Sequence, residues 1–148
     1  METEFERQYV RIAFHNNFNG ESYILMQELD NGMLMLPGGQ TENTDADLFE
    51  TISRELLEET MITQELLLAL ISKLKTTTLV NSYWDKYLDT IFILPWMSEY
   101  EPISQQNRND SEIIKMEWIP LKDIYNEQVK SKTYKNIQDA LLLVVQKL

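Results

Sequence analysis

The sequence predicts a mixed α/β protein, either an α+β fold or a three-layer α/β/α sandwich. Short β-prone stretches punctuated by turn signals occupy much of the chain, a helical period replaces them over residues 47–60, and the stretch from Thr133 again has apolar residues at helical spacing. Regular βαβ units do not join the strands, so the pattern alone does not choose between the two architectures. The length of 148 residues predicts a single domain over residues 1–148.

The first half of the chain is predicted to form a hairpin and a short buried strand. Residues 9–14 and 23–29 are β-prone, and the turn-rich segment 15–20 separates them. The apolar run 33–36 then ends at a Pro-Gly-Gly turn, which indicates a buried strand followed by a tight loop.

Residues 47–60 are predicted to form an amphipathic helix. Its apolar stripe consists of Leu48, Phe49, Ile52 and Leu56. Thr44 and Asp45 are the candidate caps for its start, because either side chain can accept a hydrogen bond from the first turn.

The second half is predicted to contain three more strands and two more helices. The predicted strands are residues 66–75, 87–96 and 113–119. A polar loop over residues 98–110 precedes the last strand, and Pro120 suits the first turn of a short helix over residues 121–127. The helix from Thr133 should pack on the body of the domain.

Composition limits the metal chemistry that the chain can support. The sequence contains no cysteine, so a bound metal must take oxygen ligands or the single His15. Oxygen ligands favour Mg²⁺, Mn²⁺ or Ca²⁺. His15 falls in the predicted first turn, where a solvated loop side chain is expected.

Charge and hydropathy limit the partners. A net charge of −11 argues against long nucleic acid, whose binding depends on Lys and Arg. The charged amino-terminal segment lacks the apolar core of a signal peptide, and no apolar run approaches the ~20 residues that span a bilayer. We therefore expect a cytoplasmic protein without a membrane partner.

A row of acidic residues lies on the predicted central helix. At about 100° per residue, Glu55, Glu58 and Glu59 fall within roughly one third of the circumference. These like charges repel one another, whereas a hard divalent cation bound by their oxygens turns the repulsion into binding. Arg54 stands four residues before Glu58 and can pair with it. The alternative is an ordinary solvated helix rich in Glu and Arg.

Gly38 and Gly39 follow the predicted buried strand. Because they lack a Cβ, their loop can bring backbone groups close to a metal or phosphate that the helix also faces. The alternative is a plain turn after a strand.

These segments resemble the box of the Nudix hydrolases. In that box a glycine is followed after five residues by a glutamate, and after seven more by R-E-U-x-E-E-x-G-U, where U is apolar. Gly39 matches the first glycine, and the run Arg54-Glu55-Leu56-Leu57-Glu58-Glu59 matches the catalytic helix. Upstream, Leu36 to Gly39 with Glu42 resemble the family's P-G-G-x-x-E segment. Downstream, Trp118-Ile119-Pro120-Leu121 resembles its W-x-P-L segment.

The chain departs from the family pattern around the helix. Thr44-Asp45 stands where a glycine-glutamate pair usually opens the helix, and the distance from Gly39 to Arg54 is one residue longer than the pattern. Met61 replaces the glycine that ends the helix, while Ile62 keeps the closing apolar position. Either the helix continues past Met61 or the turn there is strained.

The resemblance implies a Nudix-type α/β/α sandwich with a mixed central sheet. It also implies a MutT-like hydrolase that cleaves a diphosphate linkage in a nucleoside diphosphate linked to another moiety. The implied cofactor is Mg²⁺, with Mn²⁺ as the alternative. The implied partner is a small nucleotide-like diphosphate. Whether the chain forms a homodimer is a question that the resemblance leaves open. A Nudix fold that binds a nucleotide or metabolite without turnover is the alternative that Met61 and the altered loop favour.

The resemblance also implies the roles of individual residues. Glu58 and Glu59 are the principal metal ligands, and Glu55 is a ligand or the general base. Arg54 belongs to the catalytic set, while Gly38 and Gly39 bind substrate and the Gly38 carbonyl is a candidate ligand. Many family members carry an acidic residue about six positions before the closing tryptophan. Glu112 holds that position, and its rivals are Asp110 and Glu117.

Other side chains that could meet a nucleotide have simpler explanations. The aromatic candidates are Phe14, Tyr23, Tyr83, Trp84 and Tyr87, most of which are expected in the core. The basic candidates, each expected as a surface charge, are Arg7, Arg11, Lys73, Lys75 and Lys86. The substrate therefore stays open.

Overall fold

The structure, a computed structural model, describes residues 7–42, 45, 47–60, 62–73, 78–96 and 113–148, with the backbone alone at 58–60, 73, 113 and 114. The strands in these residues are β1 (Arg7–Phe18), β2 (Glu21–Leu29), β3 (Leu34–Met35), β4 (Gly38–Gln40), β5 (Thr78–Trp84), β6 (Tyr87–Pro95) and β7 (Ile113–Pro120). The helices are α1 (Leu48–Thr60), α2 (Gln64–Lys73), α3 (Glu127–Lys130) and α4 (Lys135–Lys147), with a 3-10 turn at Leu121–Asp123.

The long strand β1 organises a mixed sheet. Along one edge it pairs in parallel with β6, from Arg7 opposite Tyr87 to His15 opposite Pro95. Along the other edge it pairs antiparallel with β4 near its start and with β2 near its end. The sheet order is β3-β2-β1-β6-β5, and β7 pairs with the free edge of β2. Strand β4 thus enters the sheet where β2 leaves β1.

Helices cover both faces of this sheet. On one face, Val10 and Ile12 of β1 pack in a core cluster with Ile52 of α1 and with α2. On the other face, Ala13 packs with Leu141 of α4. Successive side chains of a strand point to opposite faces, so β1 contributes to both clusters. The predicted α/β/α sandwich with a mixed central sheet is confirmed.

The predicted first hairpin is confirmed, but its strands are longer than expected. Pairing continues to Phe18 opposite Glu21, and the turn is Asn19-Gly20 with φ of 54° and 82°. Two residues with positive φ suit the tight turn that joins twisted strands. His15 therefore lies in β1 and is half-buried, so the expectation of a solvated loop histidine was wrong. Burial lowers the pKa of His15.

The predicted strand over residues 66–75 was wrong in its described part, which belongs to helix α2. The run is apolar enough for either element, but Leu67 and Leu70 are buried while Leu68 is 49% exposed, which is a helical period. Thr63 is the sequence signal for a helix, because its hydroxyl accepts a hydrogen bond of 3.3 Å from the backbone N–H three residues on. Strand β5, which the sequence analysis did not predict, follows.

The carboxyl-terminal elements largely match their predictions. Strand β7 and helix α4 are confirmed, but the helix predicted over residues 121–127 is only a 3-10 turn. A new helix, α3, follows it, and Asn126 caps α3 by accepting a 2.7 Å hydrogen bond from the Gln128 N–H. The predicted loop 98–110 lies outside the described residues. None of the described helices is long and apolar enough to cross a membrane.

Candidate active site

The glycine strand β4 and the acidic helix α1 are in direct contact. Gly39 pairs with Val10 of β1. A Cβ on Gly39 would come within 2.6 Å of the Glu55 Oε2 and closer still to its other carboxyl atoms. The Glu55 carboxylate therefore lies directly on the backbone of β4, and only glycine leaves room for it there.

Gly38 is required for a different reason. Its φ is 146°, a conformation that L side chains rarely adopt. A Cβ would also collide with the backbone of β1, at the carbonyl of Val10 and the Cα of Arg11. Gly38 thus lets β4 lie against β1, whereas Gly39 makes room for a carboxylate. The contact of either glycine with substrate stays a prediction.

Arg54 is held by oxygen atoms from several parts of the chain. Its Nη2 donates to Asp45 Oδ2 at 3.0 Å and to the Gln40 carbonyl at 3.3 Å. Its Nη1 donates to Glu55 Oε1 at 2.8 Å and lies 3.4 Å from Glu42 Oε1. The planar guanidinium is thus anchored on one side and presents an N–H of fixed direction to the Glu55 carboxylate on the other.

Asp45 anchors this network, a role that the sequence analysis did not assign to it. Besides the Arg54 guanidinium, its Oδ2 accepts hydrogen bonds from the Glu42 backbone N–H at 2.9 Å and the Thr51 hydroxyl at 2.8 Å. The bond from Arg54, followed by that from the Glu42 N–H, lowers the pKa of Asp45 to about 2. The hydrogen bond to Asp45 in turn raises the pKa of Arg54. Both groups are therefore charged at neutral pH.

Asp47 caps helix α1, so the prediction of Asp45 as the cap was wrong. Its Oδ1 accepts a 2.8 Å hydrogen bond from the backbone N–H of Glu50. The Asp45 side chain is instead committed to the arginine network. The other candidate cap, Thr44, and the unusual Met61 lie outside the described residues.

The remaining predicted metal ligands are only partly described. Glu58 and Glu59 belong to α1, one turn after Glu55, but their side chains lie outside the description, as does all of Glu112. Among the described side chains, no group of three or more His, Cys, Asp or Glu could hold a metal ion. The predicted ligand set and the pairing of Arg54 with Glu58 stay predictions.

Arg11 forms a buried ion pair beside the glycine strand. Its Nε donates to Asp89 Oδ1 at 3.0 Å, and the two side chains are 6% and 2% exposed. The guanidinium also lies 5.2 Å from the centre of the Tyr9 ring. Arg11 was expected to be a surface charge, and that expectation was wrong. The residue that neutralises it, Asp89, is 78 residues away in sequence. No local pattern could identify that partner.

Aromatic side chains lie around the turn between β5 and β6. Trp84 stacks on Tyr87, with ring centres 6.0 Å apart and an interplanar angle of 28°. The Arg7 guanidinium lies 5.9 Å from the Tyr87 ring centre. Of the five aromatic residues considered from the sequence, only Phe14 is buried in the core, so the expectation that most of them lie in the core was wrong. Tyr83 and Trp84 are 60% and 42% exposed, and Tyr23 and Tyr87 are half-buried.

The NUDIX domain family model matches residues 6–140, which include the glycine strand, the arginine network and helix α1. The chain belongs to the Nudix family. This membership makes it a hydrolase of the class that acts on phosphoric anhydride bonds. No curated protein matches the chain.

Solved structures of other Nudix proteins share the fold. The NUDIX domain of Shewanella oneidensis NrtR, complexed with ADP ribose, has a TM-score of 0.60 at 16% identity, and the alignment covers 99% of this chain and 88% of that one. A C. elegans Ap4A hydrolase has a TM-score of 0.59 at 12% identity, with 95% and 96% covered. An ADP-ribose pyrophosphatase from Streptococcus suis has a TM-score of 0.59 at 14% identity, with 95% and 90% covered. At these identities the similarity shows the fold.

Proposed function

We propose that this Nudix protein is a Mg²⁺-dependent, MutT-like hydrolase that cleaves a diphosphate linkage in a nucleoside diphosphate joined to another group. The position of the Glu55 carboxylate is the observation that supports this proposal. Its carboxylate lies on Gly39, and Arg54, itself anchored by Asp45, donates to it at 2.8 Å. A carboxylate fixed by both its support and its hydrogen-bond donor is preorganised to bind a cation or to accept a proton.

The donor atoms in this region suit a hard divalent cation. The chain offers carboxylate and carbonyl oxygens, which are the donors that Mg²⁺ prefers, and it contains no thiolate. At Gly39 no side chain separates the Glu55 carboxylate from the backbone of β4. When bound, Mg²⁺, or Mn²⁺ in its place, neutralises phosphate charge and activates water. We propose that Glu55, Glu58 and Glu59 hold the cation, together with the Gly38 carbonyl.

The remaining groups position these ligands and the substrate. Arg54 fixes the orientation of Glu55, which serves as a ligand or as the general base. The backbone of Gly38 and Gly39 contacts the phosphates, and Glu112 completes the site from the segment before β7. A carboxylate facing α1 suits Mg²⁺, whose near-octahedral coordination takes oxygens from several directions, with water and substrate filling the remaining positions.

A small nucleotide-like diphosphate is the proposed substrate class. Similar structures include an ADP-ribose complex, an ADP-ribose pyrophosphatase and an Ap4A hydrolase. The net charge of −11 opposes the binding of an anion. Cations held by the carboxylates would offset that repulsion locally. The same charge makes long nucleic acid an unfavourable partner.

The test is a phosphate-release screen over nucleoside triphosphates, nucleotide sugars, ADP-ribose and dinucleotides, with and without Mg²⁺. We expect hydrolysis that stops in excess chelator. Glu59→Gln should lower turnover by about a hundredfold or more at unchanged folding stability. The control is Glu50→Gln, an exposed acidic residue elsewhere on α1, which should retain turnover. Nucleotide binding without hydrolysis of any substrate would favour the non-catalytic alternative.

A further inference from the structure

Strand β5 forms an edge of the sheet. It pairs with β6, from Thr78 opposite Ile93 to Trp84 opposite Tyr87, and with no other strand in the described part of the chain. An edge strand presents a row of backbone N–H and C=O groups that can pair with a strand of another chain. The place of β5 in the sheet thus makes it a candidate surface for association.

Apolar side chains lie exposed along this edge. Val80 and Ser82 are buried, and Val80 belongs to the core cluster that contains helix α4. Leu79 and Tyr83 alternate with them, so they point to the opposite face, where both are exposed. Trp84, at the end of the strand, is exposed as well. The edge therefore combines an open row of backbone groups with apolar surface.

Strand β5 lacks the features that usually protect an edge strand. Residues 78–84 contain no charged side chain, no proline and no glycine. Strand β7 pairs only with β2 among the described strands, and it carries Lys115, Glu117 and Pro120. Charged side chains and proline on an edge oppose the addition of another strand, whereas an uncharged β-prone edge invites it. The contrast between the two strands indicates that β5 is used for pairing.

The charge of the protein favours β5 as the place where two copies meet. At a net charge of −11, two copies repel each other, and an uncharged strand brings no further like charges into contact. Two antiparallel β5 strands are related by a two-fold axis, so the association closes at two copies. Pairing of β5 with β7 of another copy would not close in this way, and the charges of β7 oppose it.

The side chains of β5 suit an antiparallel copy of the same strand. With the two Asn81 residues opposite each other at the centre, Leu79 of each copy lies opposite Tyr83 of the other. Directly opposite residues of an antiparallel pair point to the same face, so each leucine packs on a tyrosine. Pairs of an aromatic and an apolar side chain across two strands stabilise a sheet. The strand is therefore complementary to itself.

We propose that two copies of this chain associate through antiparallel pairing of their β5 strands, which joins the two sheets into one. The proposal is independent of the reaction that the protein catalyses. Strand β1 has β6 on one edge and the glycine strand β4 on the other, and β5 lies beyond β6. Each copy thus keeps its own contact between Gly39 and Glu55, away from the shared edge.

The first test compares Leu79→Lys with Leu142→Lys by sedimentation equilibrium over about 1–100 μM, because a small interface binds weakly. The wild type should sediment as a dimer. Leu79→Lys removes two apolar contacts from the dimer and adds two charges, so its dissociation constant should rise about tenfold or more. Leu142 is an exposed leucine on α4, and Leu142→Lys should sediment like the wild type. Melting temperatures verify that both variants fold.

The second test uses the absence of cysteine from the chain. Asn81→Cys gives each copy one thiol at the two-fold axis. Opposite Cα atoms of an antiparallel pair are about 4.5–5.5 Å apart, a distance that a disulfide spans. Mild oxidation should therefore yield a covalent dimer on a non-reducing gel, whereas Leu142→Cys should stay unlinked.

A wild type that is monomeric over the whole concentration range would overturn the inference. A dimer that persists unchanged in Leu79→Lys would overturn it as well, because another surface would then hold the two copies. The same holds for a dimer that none of Val80→Cys, Asn81→Cys and Ser82→Cys can link, since these three positions cover the central register and its two nearest alternatives. Assemblies larger than a dimer would reject the closed two-fold arrangement.

Discussion

Replacing Gly39 by alanine should disable the site without unfolding the protein. The added Cβ would lie 2.6 Å from Glu55 Oε2. Favourable contacts between heavy atoms are about 3.5 Å, so the carboxylate must retreat by roughly 1 Å. A displacement of that size costs about a hundredfold in rate, which corresponds to about 2.7 kcal/mol. Because Gly39 has no positive φ and the Glu55 side chain can move, the free energy of unfolding should change by less than about 1 kcal/mol.

Gly38→Ala is the matched control, because its Cβ meets backbone instead of a flexible side chain. The φ of 146° and the collision with β1 leave no local adjustment. We expect a loss of about 3 kcal/mol or more in the free energy of unfolding, which lowers the melting temperature by roughly 6–12 °C in a domain of this size. Thermal denaturation without metal distinguishes the two glycine variants.

The assay for Gly39→Ala is steady-state hydrolysis of the substrate found in the screen, together with calorimetric titration of Mg²⁺. A double-mutant cycle isolates the cause. In a Glu55→Ala background the clash has no partner, so adding Gly39→Ala should change kcat/KM no further. Wild-type kinetics in Gly39→Ala, or a second full loss in the double variant, would refute the reasoning.

Three other predictions concern Asp45, Arg11 and Glu112, the last from its place in the sequence alone. Asp45→Asn weakens the anchor of Arg54 and should lower turnover about tenfold at pH 7. Because the folded-state pKa of Asp45, about 2, lies below its ordinary value, the stability from its carboxylate is complete above about pH 4 and is lost as the pH falls toward 2. Melting curves of wild type and Asp45→Asn should therefore converge over that window, and a constant difference would contradict this. Arg11→Met leaves the Asp89 charge buried alone and should cost about 3 kcal/mol in urea denaturation, whereas Arg11→Met combined with Asp89→Leu should recover most of the loss. Glu112→Gln should lower turnover about tenfold or more at an unchanged melting temperature without metal, and wild-type turnover would show that another carboxylate completes the site.

The catalytic segment could be predicted from the sequence because its chemistry is local. The glycine pair and the acidic helix lie within about two dozen residues of each other. Glycine indicates a close approach of the backbone to another group, and carboxylates on one helix face indicate a cation site. The contact between Gly39 and Glu55 agrees with that reasoning. The mixed α/β class was also predictable, because the order of apolar residues follows the periods of helices and strands, whereas the sandwich architecture was predicted only through the resemblance to the Nudix box.

Helix α2 shows where periodicity stops being informative. An apolar run of this length suits a buried strand or a buried helix, and its β-branched content did not decide between them. The cap at Thr63 was the better signal, since its hydroxyl binds the backbone of the first turn. Capping is a single specific contact, whereas apolar content is an average over many residues.

The sequence by itself determined the mixed α/β class, the family motif and the acidic helix that we propose as the metal site, because these depend on neighbours along the chain. Only the tertiary structure decided which charges are buried and which strand lies at an edge of the sheet. The pairing of Arg11 with Asp89 and the edge position of β5 both depend on strands that meet from distant parts of the chain. Whether a side chain is buried and hydrogen-bonded depends on the residues around it, and the fold determines which residues those are.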